Sequence, residues 1–199
     1  MRQFLLRFHL ELYTLITIVM CIYGLMNLET LSLARQIILI TMFVGMLHEW
    51  EEKRWPGGFF EAVGKVWGWE LTKIDIRKPS QWVVFAWMLI TIVPFFLESV
   101  PGLALAPVFL GLFEAFIHTI GGKLTRHKGK YFPGIVTAWC MAAVSVYCLF
   151  LAKNASLFTA QDYLVGAAFL IIVFFVLQNF VQMSAGSSMK KMMQAMRNR

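Results

Sequence analysis

His48-Glu49-Trp50-Glu51-Glu52 packs an imidazole and three carboxylates into little more than one helical turn. It ends an apolar run, IILITMFVGML, and is followed directly by Lys53 and Arg54. On a helix, His48 shares a face with Glu51 and Glu52, three and four positions on, while Glu49 points elsewhere. Glu114 and His118, four positions apart and so also on one face, lie inside a second apolar run. Imidazole and carboxylate together suit zinc, iron or manganese better than calcium or magnesium. Helical bundles build metal sites from such residues on facing helices. The expected metal ligands are therefore His48, Glu51, Glu114 and His118, with Glu52 left as a general base on a metal-bound water. A solvated helix end explains Glu49 and Glu52 taken singly. It does not explain Glu114 and His118, since ionisable groups embedded in an apolar span are costly and usually mark function.

The elements that carry these groups are apolar. Hydrophobic residues make up 59% of the 199 and charged residues 15%, which exceeds the roughly 45–50% apolar content of a soluble domain. Six runs, at about 10–28, 33–50, 82–98, 102–120, 132–152 and 162–183, approach the ~17–25 residues that cross a bilayer as a helix. The fold class expected is all-α: one polytopic membrane domain of about six spans. The first run follows Arg2 and Arg7 as a signal peptide would, but it is long and lacks a small-x-small cleavage site, so it reads as a retained span. Cys21, Cys140 and Cys148 fall in apolar runs and read as small buried hydrophobes.

Charge orients the bundle. Sixteen of the eighteen Lys and Arg fall before span one, between spans two and three, between spans four and five, or in the tail; only Arg35 and Lys153 fall on the other side. This bias sets both termini in the cytoplasm of a cell that holds the chain in its inner membrane. The net charge of +7 is accounted for by topology and by attraction to anionic headgroups, so nucleic acid is not implied. Spans two and four then both run toward the cytoplasm, and their polar pairs lie near one leaflet. Glu114 is the deepest, roughly 9 Å from the end of its span at about 1.5 Å per residue.

Residues 53–81 form the one long connection. Phe59, Phe60, Val63, Val66, Trp67 and Leu71 follow a helical repeat, as in an amphipathic helix lying in the interface or covering a site beneath it. His9 and Glu11, at the same leaflet, read as supporting groups or as side chains reaching for headgroups. Gln178 and Gln182 share a face of span six and could orient ligands or pack helices together. His127, among basic loop residues, reads as solvated. RWPGG after span two and KYFPG after span four echo each other.

The chain resembles the HXXEE family of bacterial membrane proteins. That pattern combines an H-x-x-E-E motif, here His48-Glu49-Trp50-Glu51-Glu52, with a further histidine, here His118, and a Y-x-P-G motif, here Tyr131-Phe132-Pro133-Gly134. The matched positions run from 48 to 134. The resemblance implies His48, Glu51, Glu52, His118, Tyr131, Pro133 and Gly134 as site residues and implies no reaction. Pro133 suits a first helical turn. Tyr131 suits the interface belt, or a catalytic role in which its hydroxyl donates to a substrate oxygen.

Three functions are compatible with these residues. The first is a metal-dependent enzyme, with hydrolysis of a lipid or amphiphile at the cytoplasmic leaflet as its simplest chemistry. The second is a metal-free isomerase in which the same Glu and His move a proton. The third is a small transporter or ion carrier. Clustering of the ionisable groups at one leaflet, with only Glu98 at a span end opposite, favours the enzyme.

Overall fold

The computed structural model describes residues 2–124 and 131–198. Arg126, Lys128, Lys130 and Arg199, counted above on the basic side, and His127, read above as solvated, lie outside them. The described residues form eight α-helices and no strand: α1 (Arg2–Met26), α2 (Leu33–Lys53), α3 (Phe59–Val66), α4 (Arg77–Phe96), α5 (Leu105–Leu124), α6 (Ile135–Asn154), α7 (Ala160–Ser184) and α8 (Met189–Arg197). Short 3-10 turns occupy Leu71–Lys73 and Pro101–Ala104.

Among the described residues, five stretches are long and apolar enough to cross a membrane: Gln3–Met26, Arg77–Phe96, Pro101–Lys123, Ile135–Asn154 and Ala160–Ser184. The sequence also places a span in α2. That helix has 21 residues, but its last turns carry His48, Glu49, Glu51, Glu52 and Lys53, and these lower its apolar character. It nonetheless packs against α1, α4, α5 and α6, and all four of its His and Glu side chains are buried. The least apolar long helix thus occupies the middle of the bundle. The outside is apolar instead, with Leu15, Ile22, Phe150, Ile172 and Phe175 exposed.

Tyr13, Met42, Met46, Trp87, Leu110, Met141 and Val173 join α1, α2, α4, α5, α6 and α7 in the largest buried cluster. α5 and α6 come closest at Gly111, where an added Cβ would strike the Ser145 hydroxyl and stand 3.1 Å from the Met141 carbonyl oxygen. Small residues that let membrane helices approach in this way are a common packing device.

Local signals set the helix ends. Ser32 caps α2, and Thr159 and Asp162 form a reciprocal capping box on α7. Gly58, in the left-handed region at φ 94°, opens α3. The helical repeat expected from Phe59 onward is realised over Phe59–Val66, and its apolar face turns inward: Phe59, Phe60 and Val63 pack with Trp69, Phe132, Val181 and Ala185. α3 therefore lies over the end of the bundle that carries the histidines. α8 folds back beside it. The side-chain amides of Gln178 and Gln182 point at the Met192 sulfur at 3.3 and 3.1 Å, and the Trp69 indole N–H donates to Gln182 at 2.8 Å.

Candidate metal centre

α2 and α5 bring four donors together. The imidazoles of His48 and His118 and the carboxylates of Glu52 and Glu114 each present one atom, and these atoms all lie within 4.8 Å of one another. His118 Nε2 is 3.0 Å from Glu52 Oε1 and 3.5 Å from Glu114 Oε2. His48 Nε2 is 3.5 Å from Glu52 Oε1 and 3.8 Å from Glu114 Oε2. Four ligands about 2.0–2.1 Å from one tetrahedral zinc would stand roughly 3.4 Å apart, in the middle of that range. Both imidazoles are fully buried, yet His48 Nε2, His118 Nδ1 and His118 Nε2 have no hydrogen-bond partner among the described residues. Burying an unpaired polar nitrogen is costly. The two Nε2 atoms face two carboxylates without being aligned to bond them. The group could hold a metal ion.

The sequence put Glu51 among the ligands and Glu52 beside them as a base; the geometry takes Glu51 out of the donor group and sets Glu52 within reach of both imidazoles. At about 100° per residue, Glu52 stands about 40° from His48 around the helix and Glu51 about 60° to the other side. That second direction faces the start of α6. There the Glu51 carboxylate accepts from the backbone N–H of Val136 at 3.2 Å and of Thr137 at 2.7 Å, and from the hydroxyls of Thr137 and Tyr131. A carboxylate at a helix N-terminus satisfies unpaired N–H groups and meets the positive end of the helix dipole. Burial and the adjacent Glu51 carboxylate hold the Tyr131 phenol well above its ordinary pKa, so it remains a donor. Tyr131, expected to reach a substrate, instead has its hydroxyl on Glu51.

Glu51 also acts on the donor group at one remove. The Thr137 hydroxyl gives its proton to Glu51, so it can only accept from His48 Nδ1, 3.0 Å away. Nδ1 therefore carries the imidazole proton, and the lone pair sits on Nε2, toward the donors. Bonds of this kind set the tautomer and orientation of metal-binding histidines.

The Y-x-P-G motif has a steric role in the same place. Gly134 holds φ 88°, and a Cβ there would collide with the His118 ring and lie 2.9 Å from Glu52 Cγ. Only glycine lets the α6 entry pass this close to the donors. Phe59 of α3 stacks on His118 with ring centroids 5.0 Å apart, and Phe132 packs edge-on at 5.6 Å. The two echoing segments meet here, with Pro133 Cγ 3.9 Å from the Cβ position of Gly58.

The remaining residues singled out in the sequence lie elsewhere. His9 bonds the Ser80 hydroxyl at 2.9 Å, and Glu11 pairs with Arg54 at 2.6 Å. Gln178 and Gln182 hold α8 and Trp69, as described above. Sequence reasoning missed the pair Glu49–Lys53. Both side chains are almost fully buried and bond each other, with the Lys53 ammonium also 3.9 Å from Glu52. The available signal was Glu preceding Lys by four positions, a favourable helical pair.

A family defined as proteins of unknown function with an HXXEE motif matches residues 38–149. The chain belongs to the HXXEE family. The match extends beyond the motifs at both ends, from early α2 to late α6. No curated protein and no solved structure matches the chain. In this HXXEE protein, the motif's histidine and final glutamate contribute to the donor group, and its penultimate glutamate anchors α6.

Proposed function

We propose that this HXXEE protein is a membrane-embedded, metal-dependent enzyme, a hydrolase acting on a lipid or amphiphile at the cytoplasmic leaflet. The observation that carries the reading is the set of buried, unpartnered imidazole nitrogens facing two carboxylates. His48, His118 and Glu114 would hold the metal, with zinc the best match and iron or manganese the variants. The metal would supply Lewis acidity and lower the pKa of a coordinated water, toward about 7 for zinc. Glu52 is the base. It lies 3.0 Å from His118 Nε2 and borders both cavities that reach the site. The Glu51–Thr137–His48 chain holds one imidazole in register. Phe59 and Phe132 keep bulk water from the other. The basic end of the bundle faces the cytoplasm by the positive-inside bias.

Elemental analysis of protein purified without chelators tests the proposal. About one transition metal per chain is expected in the wild type and in Glu52→Gln, and little in His48→Ala or His118→Ala. Loss of metal should also lower the melting temperature, because binding to the folded state is linked to folding. Metal-free wild type, with both histidine variants melting alike, would overturn it. The short His118–Glu52 approach would then favour acid–base isomerisation. In a cysteine-free background, a cysteine at position 156 should label from outside the cell and one at position 61 should not.

A further inference from the structure

Two cavities reach Glu52 from different directions, and their walls differ in chemistry. The larger, about 430 Å³, opens at the basic end and is lined by Arg7, Lys53, Arg54 and Arg77 together with Glu11, Glu52 and Glu61. The smaller, about 140 Å³, runs between α4, α5 and α7 past Trp87, Leu110, Phe113, Phe174 and Leu177. Among the described residues, its only charged wall residues are Glu52 and Glu114 of the donor group. Glu52 and Phe60 line both cavities.

We propose that the two cavities hold one amphiphile, with an anionic, phosphate-type head in the larger and an apolar chain in the smaller, its head-to-chain junction beside Glu52. This rests on reading the four-donor group as the reacting centre.

The head is assigned by charge. Lys53, Arg54 and Arg77 already engage carboxylates, on Glu49, Glu11 and Asp75. Arg7 does not: its guanidinium lies 5.3 Å over the Phe8 ring, and no carboxylate among the described residues pairs with it. Four cations thus stand against three carboxylates, one of which belongs to the donor group. Arg54 gives Glu11 one nitrogen and keeps further N–H groups, since a guanidinium carries five. An oxyanion supplies the acceptors that such donors lack, and the guanidinium fork fits a phosphate bidentately. The chain is assigned by exclusion. A polar group among Trp87, Leu110 and Phe113 would be buried with no partner, whereas an alkyl chain would gain burial at about 25 cal/mol per Å².

Three probes test this on the full-length protein in neutral maltoside detergent: dodecyl phosphate, dodecyltrimethylammonium and inorganic phosphate. Binding is followed by isothermal titration calorimetry, which registers occupancy of either cavity, since Trp67 and Trp87 line only the smaller one. Dodecyl phosphate should bind at least tenfold more tightly than either other probe. Arg7→Gln, on an exposed side chain, should weaken it about tenfold, the effect of losing one charge-assisted contact. Leu110→Trp, which fills the smaller cavity, should weaken dodecyl phosphate and leave inorganic phosphate unchanged. Equal binding of the ammonium probe, or no effect of Arg7→Gln, would overturn the anionic head. Equal binding of inorganic phosphate would identify a free anion as ligand and overturn the amphiphile. The probes are run on protein of known metal content. Metal-free wild type that still selects dodecyl phosphate would sink the metal-enzyme reading alone, and metal-loaded protein that selects nothing would sink this proposal alone.

Discussion

The two ends of the bundle use the same kinds of side chain to opposite effect. At the end away from the histidines, Glu98 accepts from the Ser32 hydroxyl and pairs with Arg35 at 3.0 Å, partly exposed. Its carboxylate is matched by a hydroxyl and a cation, and Leu31, Phe95, Ala104 and Phe158 close the helix ends around it. At the other end, two buried imidazoles, the buried Glu52 and the half-buried Glu114 lie together, with imidazole nitrogens left unpaired among the described residues. The first arrangement is complete as it stands and fastens helices. The second leaves donors unmatched and could hold a further cation. The contrast separates a matched carboxylate group from an open one by what remains unsatisfied around it, and burial alone does not make the distinction. It sharpens inside one helical turn: Glu51 resembles Glu98 in being fully matched, and Glu52, the next residue, is not.

The strongest way to break this contrast is to damage the open end without touching a donor. Gly134→Val forces a branched side chain into the left-handed region and against His118 and Glu52. Backbone strain of about 1–3 kcal/mol and overpacking of about 1–3 kcal/mol should add, giving a large fall in melting temperature and loss of bound metal. Gly186 also holds a positive φ, 67°, but has nothing within 4 Å of its Cβ position. Gly186→Ala should cost only the backbone term, about 1 kcal/mol, with metal content unchanged. Equal effects of the two variants, read by thermal melting and elemental analysis, would remove the steric role assigned to the Y-x-P-G glycine.

Glu49→Gln comes next. The sequence reading makes it near neutral because Glu49 lies off the His48–Glu52 face. The structure buries Glu49 completely and bonds it to Lys53. Breaking a buried ion pair costs about 3–5 kcal/mol, and the low end applies here because Lys53 keeps Glu52 within 3.9 Å. Stability should fall while metal stays bound. Wild-type melting would restore the sequence reading, and metal loss would place Glu49 in the donor group.

What was legible in the sequence follows from periodicity. Apolar runs show where helices lie, and fourfold spacing shows that Glu114 joins His118. Which of Glu51 and Glu52 meets them was not legible. Both lie within one helical face of His48, and the choice depends on where the start of α6 docks, a contact eighty-odd residues away in the chain. The role of Gly134 was hidden for the same reason, since a close approach has no local signature. The basic residues were legible as a topological signal, but their count says nothing of the cavity that Arg7, Arg54 and Arg77 come to share. α3 was legible as amphipathic. Its inward-facing apolar side depended on Phe132 and Val181, which come from distant segments.

The neighbouring glutamates offer a finer test. Glu51→Gln keeps size and loses charge at the N-terminus of α6. Its amide nitrogen cannot accept from Val136, Thr137 or Tyr131, so one side of the cap opens. A charge-assisted bond of this kind is worth about 1.5–3 kcal/mol, and His48 loses the fixed Thr137 acceptor that sets its tautomer. Melting should drop by that amount, and metal affinity about 10–100-fold, the usual effect of losing a supporting partner. Glu98→Gln removes an exposed pair worth about 0–1 kcal/mol and should leave metal affinity alone. If the two variants behave alike, Glu51 is only a cap and the route through Thr137 carries nothing.

Among the variants at the histidine end, the smallest effect belongs to Tyr131→Phe, and it decides between two roles for one hydroxyl. The ring stays in place and Glu51 loses one of its donors. Three remain, two from the backbone and one from Thr137, so the carboxylate stays anchored. The cost should be about 0.5–1.5 kcal/mol, with the full complement of metal retained and the dodecyl phosphate affinity unchanged. The Tyr131 hydroxyl bonds Glu51 and belongs to neither cavity lining, so it has no path to a bound head without abandoning that carboxylate. A substrate-binding tyrosine would give the opposite signature, near-normal melting with a tenfold or greater loss of dodecyl phosphate binding. Measuring melting and probe affinity on the same preparation separates the two, because a loss in one without the other fits only one role.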